Sequence, residues 1–201
     1  MKIIDCDQYS DEYWQAKLGL PTSSSFDKLI TTKGKASIQR QKYMLKLAGE
    51  VILGRCVETY QSQSMANGLV MESEARSFYE FTTGSKITEV GFCITDDGKC
   101  GSSPDGLIND DGSLEIKCPE IHTHVGYMLN PESLRTSYFQ QCQGQLFVTG
   151  RKWADLISYF AGLKPVIVRI ERDDEFLKLL EIELQIFCEK LTETIEKLKE
   201  K

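Results

Sequence analysis

The sequence predicts an α/β (α+β) sandwich, a mixed β-sheet flanked by helices. Two observations predict it. Apolar residues fall at helical spacing through the first third of the chain, and at Gly84 the texture changes to short strand-like runs separated by turn residues. A helix-length run then separates three of these strands from two more, an order that suits a sheet covered on its faces.

The elements follow in chain order. Thr22-Ser23-Ser24-Ser25 is a run of N-cap residues ahead of FDKLI, which predicts a short helix. Residues 36–53 read as a longer amphipathic helix, and 66–83 as another, with Met71, Ala75, Phe78 and Thr82 at three- and four-residue steps. Gly84 ends that helix. KITEVGFCIT predicts one strand or two short ones, and CGSSPDGLI with SLEIKC a hairpin around Asn109-Asp110-Asp111-Gly112. Pro131-Glu132 opens a helix running to Gly150, WADLISYF and PVIVRIE are two strands, and 174–200 is a terminal helix. Its residues Phe176, Leu180, Leu184, Phe187 and Leu191 form a core-facing stripe. The expected organisation is a single domain over 1–201: a helical region (1–83), a sheet core with the hairpin (84–172) and a C-terminal helix (173–201).

Composition narrows the classes. With 201 residues, 41% hydrophobic and 27% charged, the chain can bury a core without disulfides or metal. No run approaches the ~18 apolar residues of a membrane span. The opening MKIIDCDQYSDEYW is too polar for a secretory leader, so a cytoplasmic protein is expected. The seven cysteines include no Cys-x-x-Cys pair, and His122 and His124 lack partners at zinc-site spacing, which favours idle thiols in a reducing compartment. A net charge of −6 disfavours a nonspecific nucleic-acid binder but leaves room for a local basic groove, or for carboxylates neutralised by cations.

The chemistry concentrates in GSSPDGLINDDGSLEIKCPE, residues 101–120. On a strand Glu115 and Lys117 project from one side while Ile116 points into the core. Pairing 103–108 with 113–118 brings Asp105 close to Glu115, and two such carboxylates repel unless a cation neutralises them. Magnesium suits oxygen ligands of this kind, and the Ile116 carbonyl offers one more. Lys117 beside the metal's water would orient or deprotonate it, which describes a phosphodiester-hydrolysing site. Glu-x-Lys alone is common on any solvated strand; Pro-Asp followed within a couple of dozen residues by Glu-x-Lys is much rarer.

These residues carry a family resemblance. Ser103-Pro104-Asp105-Gly106-Leu107 with Leu114-Glu115-Ile116-Lys117-Cys118-Pro119 resembles the signature of the PD-(D/E)XK nucleases, and more narrowly of the phage lambda exonuclease family, the viral alkaline exonuclease branch. Gly68-x-x-x-Glu72-x-x-Ala75-Arg76-x-x-x-Tyr79-Glu80-Phe81-Thr82-x-Gly84 is similar to the helix before that family's sheet. Tyr138-x-x-Gln141-x-Gln143 is similar to the helix after it, and Val166-Ile167-Val168-Arg169-Ile170-Glu171-Arg172-Asp173 to the late strand.

The resemblance implies a PD-(D/E)XK restriction-endonuclease-like core and a magnesium-dependent 5′→3′ exonuclease that leaves 3′ overhangs on linear double-stranded DNA. It implies metal ligation by Asp105, Glu115 and the Ile116 carbonyl, with Glu72 reaching a second ion, and manganese as a substitute. Lys117 would position the water and Gln141 would orient that lysine or the DNA. A 5′-phosphate site would comprise Ser24, Thr22 and Lys17, the last standing where the family has arginine, so a point charge replaces a bidentate fork. Trp14, Lys33, Lys35 and Arg40 are candidate DNA contacts, with Lys42 in the same basic stretch. The resemblance also implies a homotrimeric ring and a single-strand annealing protein as partner. Two other readings stand beside it: an endonuclease of restriction or resolving type on the same core, and a non-catalytic DNA- or metal-binding module.

Overall fold

In the computed structural model residues 1–57 and 63–200 are described, with side-chain surroundings given for 1–57 and 71–200; Gly68 of the motif lies outside the latter set. The elements run β1 (Lys2–Ile4), α1 (Asp11–Lys17), a 3-10 helix (Ser23–Lys28), α2 (Arg40–Leu53), α3 (Gln63–Thr83), β2 (Ile87–Thr88), β3 (Phe92–Ile94), β4 (Gly101–Ser102), β5 (Gly106–Ile108), β6 (Gly112–Lys117), α4 (Ile121–Leu129), α5 (Pro131–Thr149), β7 (Trp153–Ser158), β8 (Val166–Glu171) and α6 (Asp174–Lys199).

The strands form two sheets. The larger has the order β2-β5-β6-β7-β8, antiparallel throughout except for the parallel pair β6–β7. Parallel neighbours need a long crossover, and α4 with α5 supplies it. The smaller sheet, β1-β3-β4, is antiparallel. KITEVGFCIT makes two short strands, one of its two expected forms, and they lie in different sheets. Three expectations are corrected: CGSSPDGLI splits into β4 and β5 of different sheets, a strand opens the region read as helical, and α4 has no counterpart among the predicted elements.

Alternation along the central strands places two layers of helix. Leu114 and Ile116 of β6 and Ile157 of β7 pack with Ile108 beneath Ala75 and Tyr79 of α3. Ala154 and Leu156 of β7, with Val168 and Ile170 of β8, pack against Leu134, Cys142 and Leu146 of α5. A third cluster joins the 3-10 helix, α2 and α6, and there the expected α6 stripe, Phe176, Leu180, Leu184, Phe187 and Leu191, is buried. Each such side chain contributes roughly 1.5–3 kcal/mol when removed from water. Gly84, with φ 67°, closes α3 as expected, its N–H on the Glu80 carbonyl at 2.9 Å.

One packing detail positions the site. The 3-10 helix lies across α5 at Gly144, where an added Cβ would stand 2.4 Å from Phe26 Cδ2 and 3.0 Å from Ser23 Cβ. The missing side chain lets Ser23–Lys28 approach the helix that carries Gln141. The helix expected after Thr22–Ser25 therefore begins at Ser23 as a 3-10 turn, and Thr22 makes no side-chain cap.

Candidate active site

The site forms at the end of β6. Glu115 and Lys117 leave the strand on the α5 side, opposite Leu114 and Ile116. Asp105 stands just before β5, its N–H on the Leu114 carbonyl at 3.1 Å, which sets it across from Glu115. Its carboxylate Oδ2 accepts the Ile116 N–H at 2.6 Å. A strand residue's N–H and C=O leave on the same edge, so the Ile116 carbonyl also faces the Asp105 side.

Glu115 is 3% exposed and fully engaged. Its Oε1 takes Lys117 Nζ at 2.6 Å and Gln141 Nε2 at 2.5 Å, and its Oε2 accepts Gln145 Nε2. Four residues apart on α5, Gln141 and Gln145 share a face. Gln143 points elsewhere, donating to the Glu171 carbonyl at 2.7 Å and accepting the Asp173 N–H at 3.0 Å. Of the glutamines in the Tyr138-x-x-Gln141-x-Gln143 motif, then, one reaches the acid and the other ties α5 to the end of β8. Gln145 had a signal in its i, i+4 spacing from Gln141.

The electrostatics follow from crowding. Burial first, then the facing Glu115, drives Asp105 well above the ordinary carboxylate range; Glu72 adds to the rise, while Lys117 and the Ile116 N–H oppose it. Glu72 on α3 is raised by burial and by Glu115, offset by Lys117 and Arg76. Burial works against the Lys117 ammonium, but Glu115 and Asp105 outweigh it and raise its pKa. The ammonium also lies 4.8 Å from the centre of the Tyr138 ring. Arg76, absent from the expected site, braces it: Nε donates to the Asp105 carbonyl at 3.2 Å and Nη1 pairs with Glu89 at 2.8 Å.

Among the described residues no three Asp, Glu, His or Cys side chains converge as a ready-made cation cage. Lys117 supplies the counter-charge to Glu115 in this conformation. The donor chemistry, a buried and a partly buried carboxylate, a carbonyl on the same edge and Glu72 within their field, still fits a small hard divalent cation.

A cavity of about 130 Å³ gathers the expected phosphate residues Lys17, Thr22 and Ser24 and the candidate DNA contact Trp14, together with Lys46 and Glu50. Lys17 Nζ lies 5.3 Å from the Trp14 ring centre and 5.4 Å from that of Tyr13. Lys46, which sequence reading passed over, pairs with the buried Glu50 at 3.4 Å. Ser24 also lines a second cavity with Tyr138 and Gln141, so the two sites are adjacent. The basic stretch divides. Lys33, Lys35 and Lys42 are exposed, whereas Arg40 is spent within the chain on the Glu183 side chain and, at 2.7 Å, its carbonyl. Of the expected DNA contacts, then, Arg40 is already paired within the chain.

Comparison with known proteins places this geometry. The model of the YqaJ-like viral recombinase domain matches residues 12–152, a span containing Glu72, Asp105, Glu115, Lys117 and Gln141. The chain belongs to that family. This YqaJ-like chain is similar to the alkaline exonuclease LHK-Exo of Laribacter hongkongensis, solved in two crystal structures, one in complex with dAMP. Identity is 34%, TM-score 0.85, and 95% of this chain and 97% of that one are covered. A phage-related exonuclease of Haemophilus somnus 129PT shares the fold at 14% identity, TM-score 0.71, covering 89% of this chain and 96% of its own. A search of curated proteins gives no match. The YqaJ-like core is thus of PD-(D/E)XK type, a mixed sheet flanked by helices, and nucleases of this family are metal-dependent. Among its described residues, no helix is long and apolar enough to cross a membrane.

Proposed function

We propose that the protein is a phage-type 5′→3′ exonuclease that digests one strand of linear double-stranded DNA and leaves a 3′ single-stranded overhang for recombination by strand annealing. The observation that carries this reading is the single edge holding Asp105, Glu115, the Ile116 carbonyl and Lys117, next to a small cavity with lysines and hydroxyls. Kinship with an alkaline exonuclease over nearly the whole chain favours exonuclease over endonuclease.

The chain's own groups divide the work. Lys17, Lys46, Thr22 and Ser24 hold the 5′ phosphate, and the terminal nucleotide runs from there to the acidic edge. Gln141 and Gln145 fix the Glu115 carboxylate, while the Ile116 N–H and Arg76 fix Asp105. Lys117, held as an ammonium, orients the attacking water and offsets charge growing on the scissile phosphate. Magnesium, as two ions with manganese as a substitute, would be held by Asp105, Glu115, the Ile116 carbonyl and Glu72. Bound there, it supplies Lewis acidity and a water acidic enough to attack at neutral pH.

Duplex DNA labelled at either end tests the reading. With magnesium, stepwise loss of the 5′ strand and no attack on closed circles is expected, and a 5′-hydroxyl end should be digested more slowly than a 5′-phosphate end. Nicking of closed circles would move the protein to the endonucleases.

The same reading includes a homotrimeric ring around DNA and a single-strand annealing protein that takes up the new 3′ tail. Exposed apolar side chains on α2 and α6, among them Leu45, Ile52, Leu179 and Ile182, support an assembly beyond the single chain. Light scattering should give three chain masses; a monomer at micromolar concentration would count against the ring.

A further inference from the structure

The geometry points to Tyr9 as the platform on which the base of the 5′-terminal nucleotide stacks while its phosphates bridge the two sites; this rests on the end-held nucleotide proposed above. Tyr9 has φ 72°, in the left-handed region that non-glycine residues rarely occupy. Neighbours on both sides hold it there. Gln8 Nε2 donates to the carbonyls of Val90 at 3.2 Å and Pro104 at 3.4 Å, which pins this segment against the residue before Asp105. Ser10 donates its N–H to the Asp7 carbonyl at 3.1 Å, and its Oγ accepts the Tyr13 N–H at 3.2 Å as the cap of α1. A strained backbone braced in this way keeps a side chain aimed at one place.

That place lies between the acidic edge and the phosphate cavity. The Tyr9 ring is 5.7 Å from Tyr13 and 6.1 Å from Trp14, centre to centre, and Trp14 lines the phosphate cavity. On its other side it opens into a cleft of about 530 Å³ with Glu72, Arg76, Glu89 and Asp105. Burial, then Glu72, Tyr13 and Asp105, push its hydroxyl up to about 12, so the ring stays neutral at working pH. The residue remains 46% exposed, leaving a surface of the ring free.

The chemistry of the cleft selects which part of a nucleotide enters. Asp5, Asp7, Glu72, Glu89 and Asp105 repel a phosphate that no cation neutralises, whereas a base is uncharged. An aromatic ring accepts any base, because every base has a π-face, and that tolerance suits an enzyme that removes whichever nucleotide comes next.

A thermodynamic cycle between ring and base tests this. Affinity for a 5′-phosphorylated duplex would be measured by anisotropy in full-length Lys117→Ala protein without added divalent cation, so that the DNA stays intact during the measurement. The duplex would carry either a normal or an abasic 5′-terminal nucleotide. Tyr9→Ala should weaken binding of the normal end by about tenfold, the size of one base–aromatic stack, and binding of the abasic end by less than about twofold. Tyr9→Phe, which keeps the ring, should restore the affinity and exclude a folding defect. Equal losses on both duplexes, no loss on either, or failure of phenylalanine to restore binding would overturn the stacking role. If Lys117→Ala protein with Tyr9 intact does not prefer linear 5′-phosphorylated ends to closed circles, the end-binding reading itself falls, and this inference with it.

Discussion

Replacing Lys117 with alanine is expected to slow DNA digestion on the order of 10³-fold, within the range seen when a positioned proton-handling or charge-stabilising group is lost. The ammonium lies 2.6 Å from Glu115 Oε1, and its loss leaves Asp105 and Glu115 facing each other with, among the described residues, amide and N–H donors as their hydrogen-bond partners. Removing one partner of a buried pair costs about 3–5 kcal/mol, less here because the lysine side chain is 24% exposed. The variant should therefore melt below wild type without divalent cation and recover when magnesium is added. DNA-end binding should survive, because the phosphate cavity uses Lys17 and Lys46. Digestion within tenfold of the wild-type rate would remove Lys117 from the mechanism.

Asp105→Asn should show the opposite balance of stability and activity. Asparagine keeps an oxygen for the Ile116 N–H and discards the charge. Activity should fall on the order of 10²–10³-fold or more, the scale for losing one group that stabilises the transition state, while thermal stability without metal rises. The sign follows from the raised carboxyl. The folded state holds this proton more tightly than the unfolded chain, so the cost of the charge is absent below the ordinary value of 3.8. It grows as pH climbs above that value and is complete once pH passes the raised folded value. The gain from asparagine is accordingly expected at pH 8 and absent near pH 3. Each kcal/mol corresponds to about 2–4 °C in a chain of this size. A variant less stable than wild type at pH 8 without metal would contradict the crowding of charge at this edge.

Much of this arrangement was legible in the residues. The β5–β6 hairpin, the facing of Asp105 and Glu115 and the burial of Ile116 follow from alternation and turn chemistry, and the α6 stripe from helical spacing. What escaped did so for physical reasons. In α4 the outward residues Ile121, Val125, Met128 and Leu129 are exposed while His124 is buried on Ser158 Oγ at 2.7 Å, so hydrophobic periodicity points away from the core. β1 is three residues long and has meaning only through its pairing with β3. Gln145 carried only its four-residue step from Gln141 as a signal, and stood as one glutamine among several until α5 set it over Glu115. Arg40 looked like part of a basic stripe, and only the packing of α2 on α6 reveals Glu183 as its partner. Tyr9 had no signal, since nothing in a sequence marks a left-handed tyrosine.

The most direct test of the account is the position of manganese in crystals of the wild-type protein, read from its anomalous scattering. A peak is expected within coordination distance of the Asp105 and Glu115 carboxylates and the Ile116 carbonyl, and no peak there in Asp105→Asn. A peak elsewhere, or none at millimolar manganese, would mean that this edge is not the metal centre.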